Sequence, residues 1–178
     1  VEEDVSSIAA NEPDFLAQHF SRARVSDAAC NYFERAGERG AARSNFAEAV
    51  AHFESAIGET VSLTDEGERP RRELSLLLKL GPPLTVMLGP QDAKVEKAYE
   101  RGCNLAKSLG DETARFKATW GLWYSANIGH KLKKARDCAE ELKAMGEGSS
   151  DVEILLEALH GRGSTASLEG YGPVAVAA

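Results

Sequence analysis

The chain has 178 residues, 43% of them hydrophobic and 28% charged, with a formal net charge of -7. That balance suits one domain with a sizeable core and excludes a disordered chain, while the acidic excess argues against nucleic acid, whose phosphates are held by clustered Lys and Arg. No apolar run of about 18 residues is present to span a bilayer, and "VEEDVSSIAANEPD" has neither the basic region nor the apolar core of a signal peptide, so a cytoplasmic protein without membrane contact is expected.

Residues 1–12 read as a flexible segment and residues 13–178 as one helical domain. Asn11 and Pro13 mark the first helix start, and "PDFLAQHFSRA" places Phe15, Leu16, His19 and Phe20 on one side. Ser26 or Asp27 is expected to cap a second helix, in which Cys30, Phe33, Ala36 and Gly37 recur at helical spacing up to a turn near Ser44 and Asn45. "SNFAEAVAHFESAIGE" then returns with Phe46, Ala49, Phe53 and Ala56 on one stripe. Alanines beside phenylalanine let a neighbouring backbone come close while the ring fills the remaining space.

After the polar link "TDEGER", Leu74, Leu77, Leu78 and Leu80 suit a buried helix that Gly81-Pro82-Pro83 should kink or end. "QDAKVEKAYERGCNLAKSLGD" follows, with Val95, Ala98, Tyr99, Gly102, Leu105, Ala106 and Leu109 as its apolar stripe and Gly110 as its terminal glycine. "DETARFKATWGLWYSANIG" and "KLKKARDCAEELKAMGEG" form another pair. "DVEILLEALHGRGSTASLEG" opens one more, whose partner would begin at Tyr171 and is not finished by Ala178. No segment alternates as a strand. The chain starts at Val1 without a Met, so it reads as a piece of a longer protein.

The helix pairs recur at roughly 35 to 45 residues, the period of a helical repeat. Counted from Cys30, Phe33 falls at the large aromatic position of a tetratricopeptide repeat, Ala36 and Gly37 at its paired small positions, and Ala49, Phe53 and Ala56 at the signature sites of its second helix. The hairpin Cys30 to Glu59 therefore resembles that repeat, and "SNFAEA" is similar to its usual turn. The later pairs fit less closely: Val95, Tyr99 and Gly102 stand in one, Ala135, Ala139 and Leu142 in the next. Longer strings, "FLAQHFSRARVSDAACNYFERAGERGAARSNFAEAVAHFESAI", "KVEKAYERGCNLAKSLGD" and "TWGLWYSANIGHKLKKARDCAEEL", resemble the repeat region of large bacterial signalling proteins. These join a class III adenylate or guanylate cyclase domain, a STAND-type ATPase and a tetratricopeptide tail.

The resemblance implies an all-α fold, a right-handed superhelix of antiparallel helix pairs with the last pair incomplete. It implies a regulatory or scaffolding segment that binds a protein, a peptide or neighbouring domains of its own polypeptide, and carries no catalysis itself. In such arrays the first helix of each pair lines the concave face, which assigns Asn31, Glu34 and Glu38 in the first repeat, and Lys117, Trp120, Tyr124 and Asn127 in the third, to partner contact. Acids stand where a basic clamp for a C-terminal carboxylate would be. The incomplete last repeat leaves a face open to self-association.

The remaining motifs carry little chemistry. No G-x-x-x-x-G-K-[ST] loop occurs to cradle phosphates. "GRGSTA", Gly161 to Ala166, has the outline of a dinucleotide loop, but it follows helical rather than strand spacing. His19, His52, His130 and His160 lack metal-ligand spacing, and Cys30, Cys103 and Cys138 form no CxxC pair and are expected reduced and buried. No catalytic residue, cofactor or metal ligand is assigned. The basic clusters Arg69–Arg72 and Lys131–Arg136 begin helices against the macrodipole and read as solvated charge, a partner being the other explanation. Two rival functions stand: a stand-alone ligand binder or small enzyme with a polar pocket containing His130 and an acid, and a regulatory arm of an ATPase-coupled transcription factor.

Overall fold

A computed structural model describes residues 13–147, 152–168 and 170. The segments 1–12 and 171–178, expected as a flexible lead and an unfinished helix, lie outside the described residues. Among these, the chain is all helical, with eight α-helices and no strand: α1 (Pro13–Arg22), α2 (Ser26–Ala42), α3 (Phe46–Thr60), α4 (Arg69–Leu88), α5 (Ala93–Leu109), α6 (Glu112–Ile128), α7 (Leu132–Glu147) and α8 (Val152–Leu168). The chain divides into two compact units, Val1–Met87 and Leu88–Ala178.

In the first unit α2 packs against both α1 and α3. Ala29, Cys30, Phe33 and Ala36 of α2 meet Ala49, Val50, Phe53 and Ala56 of α3, all buried. The approach is as close as the small residues suggested. A Cβ on Gly37 would fall 2.7 Å from Phe53 Cε1, and one on Gly40 would fall 3.0 Å from the Ala49 backbone nitrogen. Glycine is required at both places by contact, not by dihedral angle.

One turn design recurs in both units. Arg24 (φ 57°), Ser44 (φ 58°), Gly110 (φ 67°) and His130 (φ 53°) are left-handed. The N–H of the following residue then donates across the helix end: Val25 to Phe20 O at 3.0 Å, Asn45 to Gly40 O at 2.9 Å, Asp111 to Ala106 O at 3.0 Å and Lys131 to Ala126 O at 2.9 Å. These are Schellman endings of α1, α2, α5 and α6, and they fix a short reversal after each helix. Only Gly110 was legible beforehand, because the other three are not glycine. A Ser44→Gly variant should therefore gain about 1 kcal/mol, the steric cost of a left-handed Cβ, read as a raised thermal midpoint.

Two expectations about helix ends are corrected. Neither Ser26 nor Asp27 caps α2: Val25 holds the cap position without a side-chain bond, and Asp27 Oδ2 instead accepts from Thr64 Oγ1 at 2.7 Å. Side chains cap α5 and α6, Asp92 accepting from the Lys94 N–H at 2.7 Å and Asp111 from the Ala114 N–H at 2.9 Å. Of the two outcomes expected at Gly81-Pro82-Pro83, a kink or an end, the end is the one corrected; α4 continues through both prolines to Leu88. An interior proline costs about 3 kcal/mol. Burial of Leu74, Leu76, Leu77, Leu80, Pro83 and Leu84 along α4 offsets that cost.

Candidate interaction faces

Asn31, Glu34 and Glu38 project from one side of α2, where α4 meets them with its own cations. Glu34, its side chain 10% exposed, accepts through its carboxylate from Arg72 and, at 2.6 Å, from Lys79. Arg72 also donates to Asn31 Oδ1, and Lys79 to Glu38. A carboxylate so far from water is stable only when matched by charge and hydrogen bonds, which these two cations supply. Burial works to lower the Lys79 ammonium, but hydrogen bonds to Glu34 and Glu38 outweigh it and hold the group above its ordinary value. All three residues assigned to partner contact in this unit thus have partners within the unit.

A second set of ion pairs ties α5 to α7. Glu96 accepts from Lys131 and Lys134, and Glu100 accepts from Lys134 at 2.5 Å. Arg115 of α6 donates through Nε to Glu141 of α7 at 2.9 Å. The basic clusters are therefore not merely solvated charge: Arg72, Lys131 and Lys134 find acids on other helices, while Arg69 donates to the Leu63 carbonyl at 3.1 Å and 2.9 Å. Such partners lie far apart in sequence and leave no i,i+3 or i,i+4 signal.

Hydrogen bonds from Lys131, then Lys134, hold the Glu96 carboxyl below its usual range against the opposing effect of burial. A carboxyl depressed on folding contributes stability that is full above its unfolded value, about 4.3, and is lost as pH falls through the folded value. The thermal midpoint of the native chain should thus exceed that of Glu96→Gln at pH 7, and the difference should shrink as the pH is taken down to about 3. A constant difference over that range contradicts the pairing.

The α6 residues divide between interior and surface. Trp123 is buried, 2% exposed, and its Nε1–H donates to Thr165 Oγ1 of α8 at 2.9 Å. Trp120 is half-buried against it, ring centroids 4.8 Å apart. His160 lies 6.2 Å from the Trp120 ring and 6.1 Å from that of Trp123, and a Cβ on Gly161 would touch both indoles. Tyr124 is 43% exposed, Ile128 41%, and Lys117 is also exposed. Asn127 turns inward at 8% exposure, with Nδ2 3.3 Å from Ser164 Oγ and Oδ1 buried without a hydrogen-bond partner. Of the four residues assigned to this helix, Lys117, Trp120 and Tyr124 share an accessible face and Asn127 belongs to the α6–α8 contact. Ile128 and the exposed Leu156 of α8 were not anticipated.

"GRGSTA" is helical throughout, lying within α8, and packs under the tryptophans. Among the described residues no group of three or more His, Cys, Asp or Glu could hold a metal ion. His19, His130 and His160 are exposed, and His52 is half-buried 6.1 Å from the Phe33 ring. An open depression of about 610 Å³ beside α7 is lined by Leu122, Lys131 to Lys134, Asp137, Cys138 and Glu141, without His130.

Cys30 and Cys138 are buried and Cys103 half-buried, all free. Burial raises each thiol, that of Cys138 to about 12, with Cys103 contributing further. Thiolate is then scarce at neutral pH. Iodoacetamide at a pH of about 7.5 should label Cys30 and Cys138 slowly in the folded chain and rapidly after denaturation; equal rates in both states contradict their burial.

No family model matches the chain. It is 26% identical over 147 residues to an uncharacterized protein of Rhizobium meliloti (strain 1021). The match takes in 82% of this chain but only 14% of that protein's length. No described helix is long and apolar enough to cross a membrane.

Proposed function

We propose that this chain is a protein-interaction segment of the tetratricopeptide type, a right-handed stack of helix pairs within a longer cytoplasmic signalling polypeptide, and that it is not itself catalytic. The observation that carries the reading is the face of α6: Trp120 and Tyr124 stay accessible while Trp123, Gly161 and Thr165 hold the helix beneath them in place. Large aromatic side chains on a rigid support lose little freedom on contact and dominate binding energy at interfaces. The contact of Phe53 with Gly37 and the recurring Schellman turns support a stack of similar hairpins. Lys117 extends the same face, so the surface takes a protein or peptide, or a neighbouring domain of its own chain.

The reading extends to the parent polypeptide, for which the three strings resembling cyclase-linked repeat regions suggest an adenylate or guanylate cyclase. The far greater length of the Rhizobium relative is in keeping with a multidomain parent. The test is the size and ATP-cyclising activity of the native protein captured from cells by an antibody to this segment. A large polypeptide that forms cyclic nucleotide supports the assignment. A product no larger than 19.1 kDa removes it. Independently, a folded Trp120→Ala, Tyr124→Ala double variant should lose partner binding by about tenfold or more, and unchanged binding would count against the α6 face.

A further inference from the structure

No further inference is drawn: the strongest candidate, the stripe of half-buried Trp120 with exposed Tyr124 and Ile128 on α6, belongs to the face already proposed for a partner, and nothing in the structure shows which class of molecule covers it.

Discussion

Gly37→Val should lower the thermal midpoint of the chain more than any exposed substitution. The first added carbon would already lie 2.7 Å from Cε1 and 3.0 Å from Cγ of Phe53, a ring that is 2% exposed and cannot swing into solvent. Overpacking of this kind costs about 1–3 kcal/mol, and the β-branched side chain adds its own χ1 restriction in a helix. For a unit of this size each kcal/mol shifts the midpoint by about 4–8 °C, so a fall of about 4–24 °C is expected. Phe53→Leu in the same chain should recover part of that loss, because it opens the space the valine needs. A double variant showing simple additivity contradicts direct contact between the two positions. The inverse substitution, Phe53→Ala, leaves a cavity instead and should cost about 3–5 kcal/mol.

Removing both cations from Glu34 should have an effect at least as large as that of Gly37→Val. With Arg72→Met and Lys79→Met together, a carboxylate on a side chain only 10% exposed keeps its place without a counter-charge. Breaking a buried pair from one side costs about 3–5 kcal/mol; the cations here are each about one-third exposed, which places the expected loss near the lower value. Glu34→Gln added to that pair should restore about half of it, because the neutral amide needs no counter-charge. Urea denaturation of the native chain, the double-Met variant and the triple variant gives the comparison. Equal stabilities of the double-Met chain with and without Glu34→Gln contradict a buried, charged Glu34.

The hairpin of α2 and α3 was readable because its signals are local. Ala49, Phe53 and Ala56 repeat at helical spacing, and their sizes already stated how near a neighbour could come; Gly37 and Gly40 are the complementary surface. The helical state of "GRGSTA" was readable for the same reason, since the apolar spacing before it is helical. The continuity of α4 through Pro82 and Pro83 was not, because the burial that outweighs the lost donors is tertiary. Nor were the left-handed endings at Arg24, Ser44 and His130, where chain reversal imposes a conformation that the residue type does not favour.

The candidate faces show the same division. Position in the repeat placed Asn31, Glu34, Glu38, Lys117, Trp120, Tyr124 and Asn127 on the first helices of their pairs. What position could not convey is which polar groups are already satisfied. Glu34 and Glu38 meet Lys79, and Asn31 meets Arg72, only because α4 returns beside α2. Asn127 is drawn inward by the approach of α8. Glu34 and Asn127 are thereby withdrawn from the surface, whereas Asn31, Glu38, Lys117 and Tyr124 stay exposed and Trp120 half-buried, with Ile128 and Leu156 exposed besides.

The most direct test places a photo-crosslinking amino acid at position 124 of the native, full-length polypeptide in cells, and in parallel at Glu54, an exposed position on α3. An interaction face on α6 predicts a discrete adduct from position 124, weakened by Trp120→Ala, with its site identified by mass spectrometry in a partner or in another domain of the same chain. No adduct from position 124, or the same adducts from both positions, would contradict it.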